Sequence, residues 1–212
     1  MNNIDHCYYI NLDKREDRNK HTLTSVLPFF GFNDDSFSRY PGIDTSGKLS
    51  LPQRSVGCAQ SHLNIYKDAK SKGYQVILVL EDDFIPIIDT KELHSRWDFF
   101  YSKCPDFNIC QLAYNDVTKG KSIDDSGIIL TSNNVQTTSA YVIKISFTDE
   151  ISPTIQSSIN SLNNNEDANI HAIDQTWKKF QSIENGWFLL KRCGVQANDY
   201  SDIEGRVVNY GC

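Results

Sequence analysis

The stretch VILVLEDDF, residues 76–84, constrains this chain more than any other. Val76 to Leu80 form a continuous apolar run. Continuous rather than alternating hydrophobicity is the mark of a strand covered on both faces, as in a mostly parallel sheet. The run ends in Glu81-Asp82-Asp83, three like charges that repel one another and are each costly to desolvate. In open α/β sheets ligands bind outside the carboxyl ends of the strands. Three carboxylates at such an end make chemical sense if a divalent cation neutralises them. Oxygen-only ligands favour magnesium or manganese, which take substrate phosphates as further ligands. The plain alternative is a solvated acidic turn, and acidic turns are common.

Around this strand the chain alternates strand and helix patterns, which predicts a single α/β domain over 1–212. HCYYINL (6–12) reads as the first strand. Asp13 and Glu16 have capping-box spacing, which predicts a helix from about Lys14 to Pro28–Gly31. A short strand over 36–44 follows, then a helix over 55–72 with Ala59, Leu63, Tyr66 and Ala69 on one face. Further expectations are a helix at 91–103, a strand at 107–113, a surface loop over 114–134 and a strand at 135–145. Helices at 147–162 and 168–181 and a last strand at 186–191 complete the reading.

Composition narrows the function classes. The net charge of −6 disfavours nucleic-acid binding. No apolar run has the length of a transmembrane helix, and MNNIDHCYYINL lacks the charged start and apolar core of a signal peptide. Cys7, Cys58, Cys104, Cys110, Cys193 and Cys212 are scattered without a C-x-x-C pair, so they read as reduced thiols of a cytoplasmic protein.

Three segments in order, YYINLDKREDR, GCAQSHLNIYKDAKSKGYQVILVLEDDF and TTSAYVIK, resemble glycosyltransferase family 25, which includes lipooligosaccharide and collagen hydroxylysine galactosyltransferases. The resemblance spans roughly residues 6–210. It implies a GT-A-type domain, with a Rossmann-like, mixed, mostly parallel sheet flanked by helices. It also implies a nucleotide-sugar donor, a manganese or magnesium ion, and transfer with inversion. The substrates so implied are a UDP-sugar, most simply UDP-galactose, and a glycan or glycoconjugate acceptor of lipopolysaccharide type. No basic amphipathic helix announces membrane attachment, which leaves peripheral membrane contact open.

The resemblance also assigns candidate residues. Asp83 is the expected metal ligand. Glu81, on the same side of an extended chain, reaches the metal or its waters, and Asp82 points towards the ribose. Asn11 and Arg15 fall in the donor pocket. From the residues alone, Arg15 and Arg18 read equally well as surface arginines beside Glu16 and Asp17. Ser61 and His62 line the donor side, although a packed core histidine is the ordinary alternative. Asp174 is the expected catalytic base, with Asp116, Glu166 and Asp167 as competitors. GT-A enzymes often use a late histidine as a further ligand. None follows His171, so Gln196 or a water takes that place.

Two other classes compete. A metal-dependent phosphohydrolase would need a nucleophilic aspartate after the first strand. Asp13 is there, but its INLDKR setting and the missing downstream lysine argue against it. A non-catalytic nucleotide-sugar-binding protein is disfavoured by the intact acidic triplet.

Overall fold

The structure, a computed structural model, describes residues 1–33, 35–48, 50–116 and 120–209. The side chain of Asp116, and Cys212, lie outside the described residues. The strands are β1 (His6–Asn11), β2 (Phe37–Pro41), β3 (Val76–Glu81), β4 (Phe84–Pro86), β5 (Ile109–Asp116), β6 (Lys121–Ser122), β7 (Ile129–Thr131), β8 (Val135–Lys144), β9 (Trp187–Leu190), β10 (Gly194–Gln196), β11 (Tyr200–Ser201) and β12 (Arg206–Val207). The α-helices are α1 (Glu16–His21), α2 (Leu27–Phe30), α3 (Leu51–Ser71), α4 (Thr90–Lys103), α5 (Thr148–Asn163), α6 (Ala168–His171) and α7 (Ile173–Thr176).

One sheet of eight strands, in the order β2-β1-β3-β8-β5-β9-β7-β6, organises the chain. β2, β1 and β3 are parallel neighbours, and β8 runs against both β3 and β5. β9 is parallel to β5, while β7 opposes β9 and β6. All strands except β7 and β8 therefore point the same way, which is the mixed, mostly parallel sheet expected.

β3 shows why this sheet must be covered twice. Ile77 and Val79 enter the core layer that holds Ala59, Leu63 and Tyr66 of α3 and Ile151 and Ile155 of α5. Leu78 and Leu80 point the other way, to Phe30 of α2 and Leu93, Trp97 and Phe100 of α4. All four strand residues are fully buried, and truncating any one to alanine should cost about 2–5 kcal/mol. The acidic triplet thus ends a strand buried on both faces.

Several local expectations are corrected. The capping box does not form: Arg15 occupies the cap position with no side-chain bond, and Asp13 instead pairs with Arg39 of β2 at 2.6 Å. The predicted long first helix is α1, a π-helical turn over Thr22–Val26 and α2. α3 starts earlier, because Ser50 caps the amide of Gln53 and a proline sits in the first turn. The expected loop 114–134 contains the end of β5 and all of β6 and β7. The late helix breaks at Ala172, which is extended (ψ 152°), into α6, α7 and a 3₁₀ turn over Trp177–Phe180. In the C-terminal stretch β10 pairs with β4, and β11 with β12.

Cys7, Cys58, Cys104, Cys110 and Cys193 are unpaired thiols. Among the described residues no helix is long and apolar enough to cross a membrane.

Candidate active site

An open cleft of about 850 Å³, counted with its solvent-filled mouth, lies at the carboxyl ends of β1 and β3. One wall carries Ile10, Leu12 and the 42–46 loop, the floor Cys58, Ser61 and Glu81–Asp83, and the far wall Gln196, Asp199 and Asp202.

The first wall depends on Gly57. A β-carbon there would stand 2.2 Å from the Ile43 carbonyl oxygen and 2.6 Å from Thr45 Oγ1. Backbone cannot yield at such distances, so only glycine lets α3 seat against the loop. Ser61 completes the join: its hydroxyl donates to the Gly57 carbonyl and accepts from the Ile43 amide at 3.0 Å. Gly57→Ala is therefore expected to displace the 42–46 loop. The measurement is nucleotide affinity beside far-ultraviolet circular dichroism, with affinity falling at least tenfold while helix content stays.

The triplet's three carboxylates have three different surroundings. Glu81 continues the face of Ile77 and Val79 and so meets α3. Its Oε1 accepts from His62 Nε2 (3.0 Å), Thr138 Oγ1 (2.5 Å) and Cys58 Sγ (3.6 Å). Burial pushes Glu81 up, but His62, with Thr138 and Cys58, outweighs it and the carboxyl ends below its ordinary value. His62 is itself fully buried, and its Nδ1 meets the Tyr141 hydroxyl at 2.7 Å, which meets that of Tyr66 at 2.7 Å.

Asp82 turns to the other side. It accepts from Asn11 Nδ2 at 2.6 Å and from Arg18 at 3.1 Å. Burial raises its pKa by more than those partners lower it. Asn11 is buried, with its own oxygen taken by Arg39 at 2.9 Å, so it orients Asp82 from behind the cleft wall.

Asp83 is the member left incomplete. Oδ2 accepts from Gln196 Nε2 at 2.9 Å and lies 3.7 Å from Arg18. Oδ1 is buried with no hydrogen-bond partner. Burial and then the charge of Glu81, only partly opposed by Arg18, push its pKa up to about 7. A partnerless carboxylate oxygen on a cleft is costly by itself and is the kind of hard donor a divalent cation takes. The site therefore fits a manganese or magnesium ion on Asp83. Glu81 and Asp83 do not share a side, because the chain turns at Asp82–Asp83 instead of continuing extended.

Gln196 arrives through β10, which pairs with β4 in the register Gln196–Phe84. Gly194 permits this, since a β-carbon there would fall 2.1 Å from the Phe84 ring. The Gln196 amide nitrogen faces Asp83, and its oxygen accepts from Thr137 Oγ1 at 3.1 Å. Thr137 is unusual: it is β-branched yet left-handed, with φ 71°, a strained geometry that clusters at functional sites. Its amide donates to Asp174 Oδ2 at 3.1 Å. Thr137 thus links Asp174 to Asp83 through Gln196.

Asp174, at the start of α7, lies behind β8, close enough to Glu81 for their charges to interact. Burial raises its pKa; the Thr137 amide and Lys178 oppose this, and Glu81 adds to it. Its competitors are engaged elsewhere, Glu166 with His171 at 3.0 Å and Asp167 as the cap of α6; none of the three, Asp174 included, is among the residues that line the cleft.

Arginine placement was the least readable part. Arg15 is held by Asp17, Asp199 and Asp202, whereas Arg18 lines the cleft between Asp82, Asp83 and Asp199. The cation facing the triplet is Arg18. The two arginines flank Glu16 and Asp17 in sequence, and Asp199 arrives only by tertiary folding. No role was read for Thr137, Thr138 or the 42–46 loop; the available signals were the Gly57 of GCAQSH and the first two residues of TTSAYVIK.

The glycosyltransferase family 25 (LPS biosynthesis protein) profile matches residues 33–156, more than half of the chain. Among curated proteins, none matches by sequence. A glycosyltransferase involved in the glycosylation of the major capsid of PBCV-1 superposes with a TM-score of 0.54 at 8% identity, covering 94% of this chain and 95% of that one. Mannose-1-phosphate geranyltransferase from Thermus thermophilus gives 0.46 at 11% identity, with 87% and 72% covered. Mouse xyloside xylosyltransferase 1 gives 0.44 at 11%, with 87% and 84% covered. The fold is GT-A-like, and the chain belongs to glycosyltransferase family 25.

Proposed function

We propose that this protein transfers a hexose, most simply galactose, from a UDP-sugar to a hydroxyl of a saccharide or other hydroxylated acceptor, with inversion. The observation that carries the reading is the buried, partnerless Asp83 Oδ1 at the end of β3, on a cleft that also holds Arg18. Asp83 would hold the metal, with Gln196 beside it and Glu81 reaching it through water. A manganese or magnesium ion there supplies charge to match that developing on the departing nucleoside diphosphate.

The chain's own groups carry the other roles. Arg18 pairs with the diphosphate, and Arg15 supports it from behind. Ser61 holds the loop that borders the nucleotide, Asn11 aims Asp82 towards the ribose, and His62 fixes Glu81. Asp174 takes the proton of the acceptor hydroxyl. As that oxygen forms its bond to the anomeric carbon from the face opposite the nucleotide, the bond to the phosphate oxygen breaks and UDP leaves. Burial raises the pKa of Asp174, which makes its carboxylate a stronger base towards the acceptor hydroxyl.

The test is a panel of UDP-sugars and saccharide acceptors with manganese, read by UDP release and by the anomeric configuration of the product. The expected result is UDP release with a β-linked product from an α-linked donor, abolished by chelator. Inorganic phosphate as the product would favour a phosphohydrolase. Binding without turnover across the panel would leave a nucleotide-sugar-binding protein.

A further inference from the structure

We infer that Cys58, His62 and Glu81 form a second metal site, for a borderline transition-metal ion such as zinc, separate from the all-oxygen site at Asp83.

Cys58 and His62 are one turn apart on α3 and so share a face, and β3 delivers Glu81 against that face. Cys58 Sγ, His62 Nε2 and a Glu81 oxygen all lie within 4.8 Å of one another. Two of the separations are 3.0 Å (His62 Nε2 to Glu81 Oε1) and 3.6 Å (Cys58 Sγ to Glu81 Oε1). Tetrahedral coordination with ordinary zinc–sulfur, zinc–nitrogen and zinc–oxygen bonds puts ligand atoms roughly 3.3–3.6 Å apart. Those two pairs therefore stand near coordination spacing, and an ion would draw in Cys58 Sγ and His62 Nε2, which lie within 4.8 Å of each other.

Donor chemistry separates this site from Asp83. One thiol, one imidazole and one carboxylate form a mixed sulfur, nitrogen and oxygen set, which selects zinc or cobalt over magnesium and manganese. The surrounding shell is also built. Tyr141, backed by Tyr66, engages His62 Nδ1 and leaves Nε2 directed at the other two donors. Outer-shell bonds of this kind orient histidine ligands at metal sites. Thr138 Oγ1 lies against Glu81 and 4.0 Å from Cys58 Sγ. Cys58 and Glu81 both line the cleft. Three protein ligands with the remaining position open to the cleft is the arrangement of a zinc site that can take an external ligand.

This inference does not depend on sugar transfer, and its test is spectroscopic. Metal-free full-length protein is titrated with cobalt(II). The expected result is one equivalent bound, with a thiolate-to-cobalt charge-transfer band in the near ultraviolet and the strong visible bands of four-coordination. Zinc should displace it and magnesium should not. Cys58→Ser should remove the charge-transfer band, His62→Gln should weaken binding at least tenfold, and Asp83→Asn should leave the band in place. No thiolate band in the wild type, or a band that survives in Cys58→Ser, would overturn the proposal. A band lost in Asp83→Asn would also overturn it, since the cobalt would then sit at the donor-metal site.

Discussion

Asp83→Asn is expected to lower sugar transfer by roughly a hundredfold to a thousandfold while making the metal-free protein more stable at pH 8. The two effects share one cause. In the folded chain burial and Glu81 raise the Asp83 pKa to about 7, against about 3.9 for a free aspartate. Between these values the folded state binds more protons than the unfolded state, so stability falls as pH rises through the window and stays lowered above it. At pH 8 the full difference amounts to at most about 4 kcal/mol. Asparagine fills the same space without that ionisation. Thermal unfolding of wild type and variant, metal-free, at pH 4.5 and pH 8 checks the sign: the variant's advantage should be small at pH 4.5, near the bottom of the window, and much larger at pH 8. Saturating manganese should then raise the wild-type midpoint and leave the variant's nearly unchanged. Full transfer by the variant would remove Asp83 from the site.

Asp174→Asn should separate transfer from binding. A general base acts only when the acceptor proton moves, so its loss is expected to slow transfer by about a hundredfold to ten-thousandfold. Affinity for UDP-sugar and manganese should stay within a few-fold of wild type. The Thr137 amide that donates to Asp174 Oδ2 still has an oxygen acceptor in the variant, so the strained turn should hold. Single-turnover kinetics beside donor titration makes the measurement. A normal rate would move the base elsewhere, with Asp116 the next residue to replace. Loss of donor binding would instead assign Asp174 to the donor pocket.

The parts legible from sequence were those set by neighbours in the chain. The apolar run of β3 announced a doubly covered strand, and its last residues announced a charged strand end. Periodicity located α3 and its inward face. What escaped depended on partners far away in sequence. Asp13 has the spacing of a helix cap, yet Arg39 on the adjacent strand takes its carboxylate. Arg18 could not be preferred to Arg15, because Asp199, which helps hold both, lies 184 residues beyond Arg15. Glu81 and Asp83 would share a side on an extended chain, but only Glu81 follows the alternation of β3, to His62, and the turn after the strand takes Asp83 to Gln196. Thr137 is a strand-former by type, so nothing local reveals its left-handed backbone.

The far wall of the cleft has a consequence for how anions enter. Lys14, Arg15 and Arg18 already have counter-ions: Asp44 and Asp202 on Lys14, Asp199 and Asp202 on Arg15, and Asp82 and Asp199 on Arg18. A diphosphate reaching Arg18 therefore enters by ion exchange, replacing a carboxylate of the chain rather than filling a bare positive pocket. Added salt screens the resident pair and the incoming one alike, so the two effects largely cancel and affinity should change little with ionic strength. The exchange also parts Arg18 from Asp199 and from the Tyr200 carbonyl it holds at 2.8 Å, both of which Arg15 keeps, at 3.0 and 3.3 Å. Arg15 thereby keeps the β11–β12 hairpin in place through Asp199, Tyr200 and Asp202, and the far wall is a counter-ion that the incoming charge trades places with on Arg18 alone.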